Sequence, residues 1–188
     1  MTSQPQQGDA LLIVDVQNDF LPGGRLAVPA GDQVVAPLND WIARFASAGL
    51  PVFATRDWHP ADHCSFQPQG GPWPPHCIAG TEGAEFAEGL RLPAGSTIIS
   101  KATRVDADAY SGFAGTDLQQ RLMESGVQRL FVGGLATDYC VLNSVRDALR
   151  LGYDVRLLMA GIRAVNVKPG DGAEAIAGMI AAGAVAVE

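Results

Sequence analysis

With 188 residues, 47% of them apolar, the chain is long enough to bury one substantial core and too short for two full domains, so one domain over residues 1–188 is expected. A net charge of −7, with only 13 Lys and Arg and no basic run, argues against nucleic acid as a partner, because phosphate binding needs clustered cations. Three cysteines, Cys64, Cys77 and Cys140, cannot all pair within one chain, which favours free thiols and leaves at least one to be explained.

The opening stretch MTSQPQQGDA has neither the basic nor the apolar region of a secretion signal. Ala10–Val16 follows, a continuous apolar run that reads as a strand buried on both faces and ends in Asp15 and Gln17. A helical pattern over Val34–Ser47, with Gly49 just past its end, leads to a second apolar run, Pro51–Thr55, and then to Arg56-Asp57. From Arg56 to about Gly83 the rhythm breaks. This segment is rich in Pro and Gly, carries aromatics and has neither period, and long irregular loops inside compact domains are usually functional. Regular patterns resume with Ser96–Ser100 before Lys101, a helix over Asp117–Glu124, and Arg129–Ala136 running into the turn GGLATDYC. A helix over Tyr139–Leu151, a strand over Asp154–Ala160, a helix over Ala173–Ala181 and a last run at Ala184–Val187 complete the chain, with Gly126, Gly152 and Gly183 as further C-cap signals. The longest apolar stretch, Ile176–Val187, is too short and too rich in Gly to span a bilayer, so a cytoplasmic protein with no membrane partner is expected.

Strands alternating with helices predict an α/β fold, a six-stranded, mostly parallel sheet with helices on both faces in a Rossmann-like arrangement. In such open sheets ligands sit beyond the carboxyl ends of the strands, and here those ends carry Asp15, Asp57, Lys101 and Cys140. Cys140 stands about two residues into a predicted helix, after Thr137-Asp138 as its cap, where the helix dipole and free N–H groups lower the pKa of a thiol. The run Gly133-Gly134-Leu135-Ala136-Thr137 lets the backbone turn sharply and aim N–H groups at a developing oxyanion. Packing is the alternative for both, a small apolar thiol against the sheet and small residues in a tight turn.

A nucleophilic cysteine commonly uses histidine as its base, but all three histidines fall in the irregular loop. Attention therefore turns to Asp15, because a carboxylate inside the apolar run LLIVDV has a raised pKa and can carry a proton. Lys101 would compensate that charge and stabilise a thiolate. Taken singly, Asp15 could brace a turn and Lys101 could sit on a solvated rim; at the ends of three neighbouring strands the trio is better explained as a catalytic set.

The loop reads RDWHPADHCSF and then WPPHC, gathering every histidine and two of the three tryptophans. Asp57, His59 and His76 form a carboxylate–imidazole set that suits zinc, iron or manganese and leaves positions open for water and a substrate atom. His63 is a candidate fourth ligand. On spacing alone, polar loop histidines without a metal are an equal reading, and a structural zinc site with Cys64 and Cys77 lacks any CxxC spacing. Trp73 and Phe20 could stack on a planar substrate, lid packing being the other role open to them.

Five segments, LLIVDVQNDF, ATRDWHPADHCSF, WPPHCIAGTEGAEF, Lys101 with DAYSGF, and GGLATDYCV, together resemble the nicotinamidase/pyrazinamidase branch of the isochorismatase-like cysteine hydrolases. The resemblance covers most of the chain in the expected order, and it implies the isochorismatase-like hydrolase fold. It further implies a triad of Asp15, Lys101 and Cys140, metal ligands Asp57, His59 and His76, and His63 as a ligand in only some members. It also implies an oxyanion hole from the N–H groups of Ala136 and Cys140, a cis peptide between Leu135 and Ala136, and pocket walls from Phe20, Trp73 and Tyr110. One departure is Ala102 after the lysine, where related sequences more often have Gly.

What the resemblance implies is hydrolysis of nicotinamide to nicotinate and ammonia through a thioester on Cys140, with pyrazinamidase activity, the metal gripping the ring nitrogen of a small carboxamide. Zinc is the expected cofactor, with iron or manganese as substitutes. Rival readings are attack by a metal-bound water, an amidase or isochorismatase-like hydrolase of another specificity, and a catalytically silent metal-binding module. Whether the chain is a monomer or a homo-oligomer stays open.

Overall fold

The computed structural model describes residues 4–188, so the first three residues of the stretch read for a targeting signal lie outside the described residues. Every residue of Asp9–Val14 (β1) is buried, the outcome expected of an apolar run without alternation, since helices cover both faces of the sheet. Leu11 and Ile13 face a layer built on Val35–Ser47 (α1), whose Leu38, Trp41, Ile42 and Phe45 point inward. Ala10, Leu12 and Val14 face the opposite layer, where Leu118–Glu124 (α2), Leu142–Arg150 (α3) and Asp171–Ala181 (α4) contribute Leu122, Val145 and Met179.

The remaining strands are Val52–Asp57 (β2), Thr97–Lys101 (β3), Arg129–Leu135 (β4), Asp154–Arg163 (β5) and Val185–Val187 (β6). Their order across the sheet is β3-β2-β1-β4-β5-β6, and all five pairings are parallel. The chain lays β2 and β3 to one side of β1, then crosses to place β4, β5 and β6 on the other. The switch point therefore falls between β1 and β4, where a crevice opens beyond the carboxyl ends.

Local differences from the sequence expectation concern where elements begin and end. Arg56 and Asp57 belong to β2 because β3 continues the ladder opposite them, pairing Arg56 with Ser100 and Asp57 with Lys101. β5 runs on to Arg163, past the expected end at Ala160, with a register shift against β4 between Val132 and Gly134. The helix expected over Tyr139–Leu151 begins earlier, as one π-helical turn over Thr137–Val141 that leads into α3. Between β2 and β3 the chain makes only short 3-10 turns, so the irregular segment extends beyond Gly83 to the start of β3. Gly49, Gly126, Gly152 and Gly183 each take positive φ at the helix ends they were expected to close. Among the described residues no helix is long and apolar enough to cross a membrane.

Candidate active site

Asp15 is the first residue after β1. Its backbone is left-handed (φ 48°), and its N–H bonds the carbonyl of Thr55 at 3.1 Å. β4 lies tight against β1 because Gly134 (φ 132°) has no side chain; a Cβ there would run into the backbone of Val14. This close approach carries the turn holding Cys140 over Asp15. The peptide between Leu135 and Ala136 is cis, as the resemblance implied.

Lys101 stands in the ladder directly beside Asp57 and is only 1% exposed. Its three N–H groups are accounted for by Asp57 Oδ1 at 2.5 Å, the Ala109 carbonyl at 3.0 Å and Cys140 Sγ at 3.4 Å. Asp15 Oδ2 lies 2.9 Å from the same nitrogen, so two buried carboxylates flank one ammonium. Asp15 Oδ1 is taken by the Thr55 hydroxyl at 2.6 Å. Ligand atoms of Asp15, Asp57 and Cys140 all lie within 4.8 Å of one another.

Burial dominates the electrostatics. It lifts the Asp15 carboxyl above its ordinary value, outweighing the pull of Lys101. Burial alone would lower the Lys101 pKa, but Asp15 and Asp57 more than offset it, and the ammonium is held charged. The Cys140 thiol is pushed up by burial against the opposing effect of Lys101. The sequence expectation of a thiol pKa lowered by the helix start is thus corrected, since burial raises it. The expected Thr137-Asp138 cap is also absent, since no side chain caps this turn. Asp138 instead accepts from the N–H groups of Val165 and Asn166, at 2.9 and 2.8 Å.

Beside this trio, ligand atoms of Asp57, His59 and His76 lie within 4.8 Å of one another, all three residues buried. Each histidine engages a backbone carbonyl through Nδ1, His59 that of His76 at 3.0 Å and His76 that of Pro74 at 2.7 Å. With Nδ1 occupied, Nε2 of each ring is the free ligand atom, the arrangement metal-binding histidines use. Burial first, then the neighbouring His76, lowers the His59 pKa to about 3, so its ring is neutral as ligation requires. The donor set therefore fits a divalent metal such as zinc. His63 stands apart: Ser65 Oγ (2.7 Å) and the Ala107 carbonyl (3.2 Å) engage both its nitrogens, and it groups instead with His59 and the exposed Asp108.

The pocket above Cys140 is lined by Phe20, Trp73, Tyr110, Ala136, His59 and His76, with Asp15 and Lys101 buried beneath it. Trp73 Nε1 donates to the Tyr110 hydroxyl at 3.0 Å, closing one wall. Sequence reasoning missed Tyr139, whose ring packs against Trp73 and Tyr110 at 5.2 and 5.5 Å, and the apolar lining of Leu26, Val28 and Val165. The adjacency of Tyr139 to Cys140 was a usable signal; the other three sit on distant segments with none. Ala102 takes φ 52°, a backbone that suits Gly, which accounts for the glycine more usual at this position.

A family model described as Isochorismatase domain matches residues 9–187. The nicotinamidase of Escherichia coli (strain K12) is 42% identical, covering 93% of this chain and 92% of its own. A pyrazinamidase of Pyrococcus horikoshii, solved in complex with zinc, superposes with a TM-score of 0.93 at 46% identity, covering 96% of this chain and 99% of its own. A protein of L. infantum, solved in complex with nicotinate, gives 0.90 at 34% identity, with 100% and 96% covered. Sequence and fold thus agree, and the chain belongs to the isochorismatase domain family.

Proposed function

We propose that this chain, acting as one domain over residues 1–188, is a nicotinamidase that hydrolyses nicotinamide to nicotinate and ammonia and also accepts pyrazinamide. The observation that carries the proposal is the placement of Cys140 Sγ 3.4 Å from Lys101 Nζ, at the floor of an aromatic pocket whose other wall holds His59 and His76. Phe20, Trp73 and Tyr110 offer aromatic faces to a planar heteroaromatic ring, and relatives named for nicotinamide and pyrazinamide hydrolysis support this substrate class.

In this mechanism Asp15 Oδ2 takes the thiol proton as Cys140 Sγ attacks the amide carbon. Lys101 holds the developing thiolate, and the N–H groups of Ala136 and Cys140 receive the oxyanion. Collapse breaks the C–N bond, and Asp15 returns its proton to the departing nitrogen, releasing ammonia. Water then attacks the thioester, with Asp15 accepting its proton and the Cys140 thiolate leaving to regain it. Asp57, His59 and His76 would hold a zinc ion, which when bound supplies a Lewis-acid grip on the ring nitrogen and so orients the amide. We further propose that the protein works in the cytoplasm.

The test is ammonia release from nicotinamide, with and without chelator, by the wild type and by Cys140→Ala. The wild type should turn over, and Cys140→Ala should lose at least about 1,000-fold in kcat while keeping its fold. Turnover retained in Cys140→Ala would hand the reaction to a metal-bound water. No ammonia from nicotinamide, pyrazinamide or other small amides would leave a silent metal-binding module.

A further inference from the structure

β1 ends at Val14, whose ladder partner on β2 is Thr55, so Asp57 lies two residues beyond the last β1–β2 pair. Its inward backbone groups have no strand beside them, and buried backbone groups left unpaired are costly. The side chain of Gln17 fills that gap. Its Oε1 accepts from the Asp57 N–H at 2.8 Å, and its Nε2 donates to the Asp57 carbonyl at 2.8 Å and to the Ala84 carbonyl at 2.8 Å. Gln17 is fully buried, and turning the amide over would set NH₂ against an N–H and oxygen against two carbonyls. One orientation therefore satisfies the site.

We infer that Gln17 is a positioning residue that fixes Asp57 for the cation cluster, acting as a substitute strand through the backbone of Asp57. The demand for such a device is set by how Asp57 is used. Its carboxylate is shared, with Oδ1 on Lys101 at 2.5 Å and a ligand atom within 4.8 Å of those of His59 and His76. A carboxylate divided between an ammonium and a cation serves both only if its backbone is held still. Through Ala84 the same amide also ties down the segment returning from the loop, where the N–H of Ala87 meets the carbonyl of Val16 at 2.9 Å. Partners of metal ligands act in this way, setting the orientation of groups they never replace.

This inference relies on the proposed function only for the presence of the cation, so it is tested by zinc affinity, measured by competition with a chromophoric chelator. Three proteins are compared: the wild type, Gln17→Met, and Arg129→Met as a control. The control removes the Arg129–Asp9 pair (2.7 Å) at the opposite end of the same sheet and costs stability without touching the cluster. Gln17→Met should bind zinc about 10- to 100-fold more weakly, and Arg129→Met should stay within about threefold of the wild type. If Gln17→Met does not fold, Gln17→Glu carries the same test, since it keeps the acceptor for the Asp57 N–H and loses both donors. Zinc affinity unchanged in the Gln17 variant, an equal loss in Arg129→Met, or a wild type that holds no zinc would each overturn the inference. Failure to release ammonia from nicotinamide would overturn the functional proposal alone and leave the zinc comparison standing.

Discussion

Thr55 donates its hydroxyl to Asp15 Oδ1 at 2.6 Å, and this bond decides which oxygen of Asp15 is free to take a proton. Thr55 is wholly buried, its methyl lies where a side chain on residue 112 would stand, and Gly112 leaves room for it. The hydroxyl is therefore aimed by packing. With Oδ1 engaged, Oδ2 is the oxygen that faces Lys101, at 2.9 Å. Thr55→Val keeps the shape and removes the donor, so kcat should fall about 10- to 100-fold, the worth of a hydrogen bond to a charged group. Thr55→Ser should retain most activity, and nicotinate binding should hardly change in either. Equal losses in both variants would assign the role to the methyl group.

The pH dependence of stability follows from Asp15. Burial raises its folded pKa above the ordinary carboxylate value, so the protonated form is favoured by folding. Stability from such a group is fully present below the unfolded pKa and is lost as pH rises through the folded one. Asp15→Asn, a neutral mimic, should accordingly melt above the wild type at pH 8, with the advantage narrowing as pH falls toward the ordinary carboxylate range. Thermal melts across that range check this. An advantage that grows on acidification would mean that pairing with Lys101 outweighs burial.

Metal removal should separate orientation from nucleophilicity. With Asp57, His59 and His76 emptied by a chelator, or with His76→Ala, nicotinamide turnover should drop, while iodoacetamide should still alkylate Cys140, since Asp15 and Lys101 remain assembled on the sheet. Benzamide has the amide and lacks the ring nitrogen. It should be a poor substrate for the zinc-loaded enzyme and lose little more when zinc is stripped. Equal rates and equal metal dependence for both amides would put the metal on the amide or on water.

Gly134 should tolerate no side chain. At φ 132°, and with the Val14 backbone where a Cβ would lie, Gly134→Ala combines backbone strain with overpacking. The two together cost roughly 2–5 kcal/mol, a fall in melting temperature on the order of 4–20 °C for a chain of this size. Calorimetry measures it directly. Activity should fall further than stability alone requires, because the β1–β4 approach sets Cys140 over Asp15.

The strands were legible because Ala10–Val16 and Arg129–Ala136 are continuous in apolar residues, and only a sheet covered on both faces buries such runs completely. Helix ends were equally legible at Gly49, Gly126, Gly152 and Gly183, where the chain needs positive φ. Local patterns carry this information because period and turn chemistry act over a few residues. The cluster of Asp57, His59 and His76 was visible for a related reason, as these residue types crowd one segment with no structural period. The start of the helix at Cys140 was misjudged, since Asp138 bonds the distant Val165 and Asn166 instead of its own turn.

What the sequence by itself determined is the set of strands, the edge on which their chemical ends would meet, and the residue types offered there. Only the tertiary structure decided how those groups share protons and charge. Lys101 turned out to set one ammonium among Asp57, Asp15, Ala109 and Cys140. Burial turned the thiol pKa up where a helix start alone would have turned it down. Gln17, read in sequence only as a strand end, and Thr55 became the partners of Asp57 and Asp15 across a separation of 40 residues each. Hydrogen-bond geometry and desolvation depend on atoms brought together from remote parts of the chain, and no local pattern encodes them.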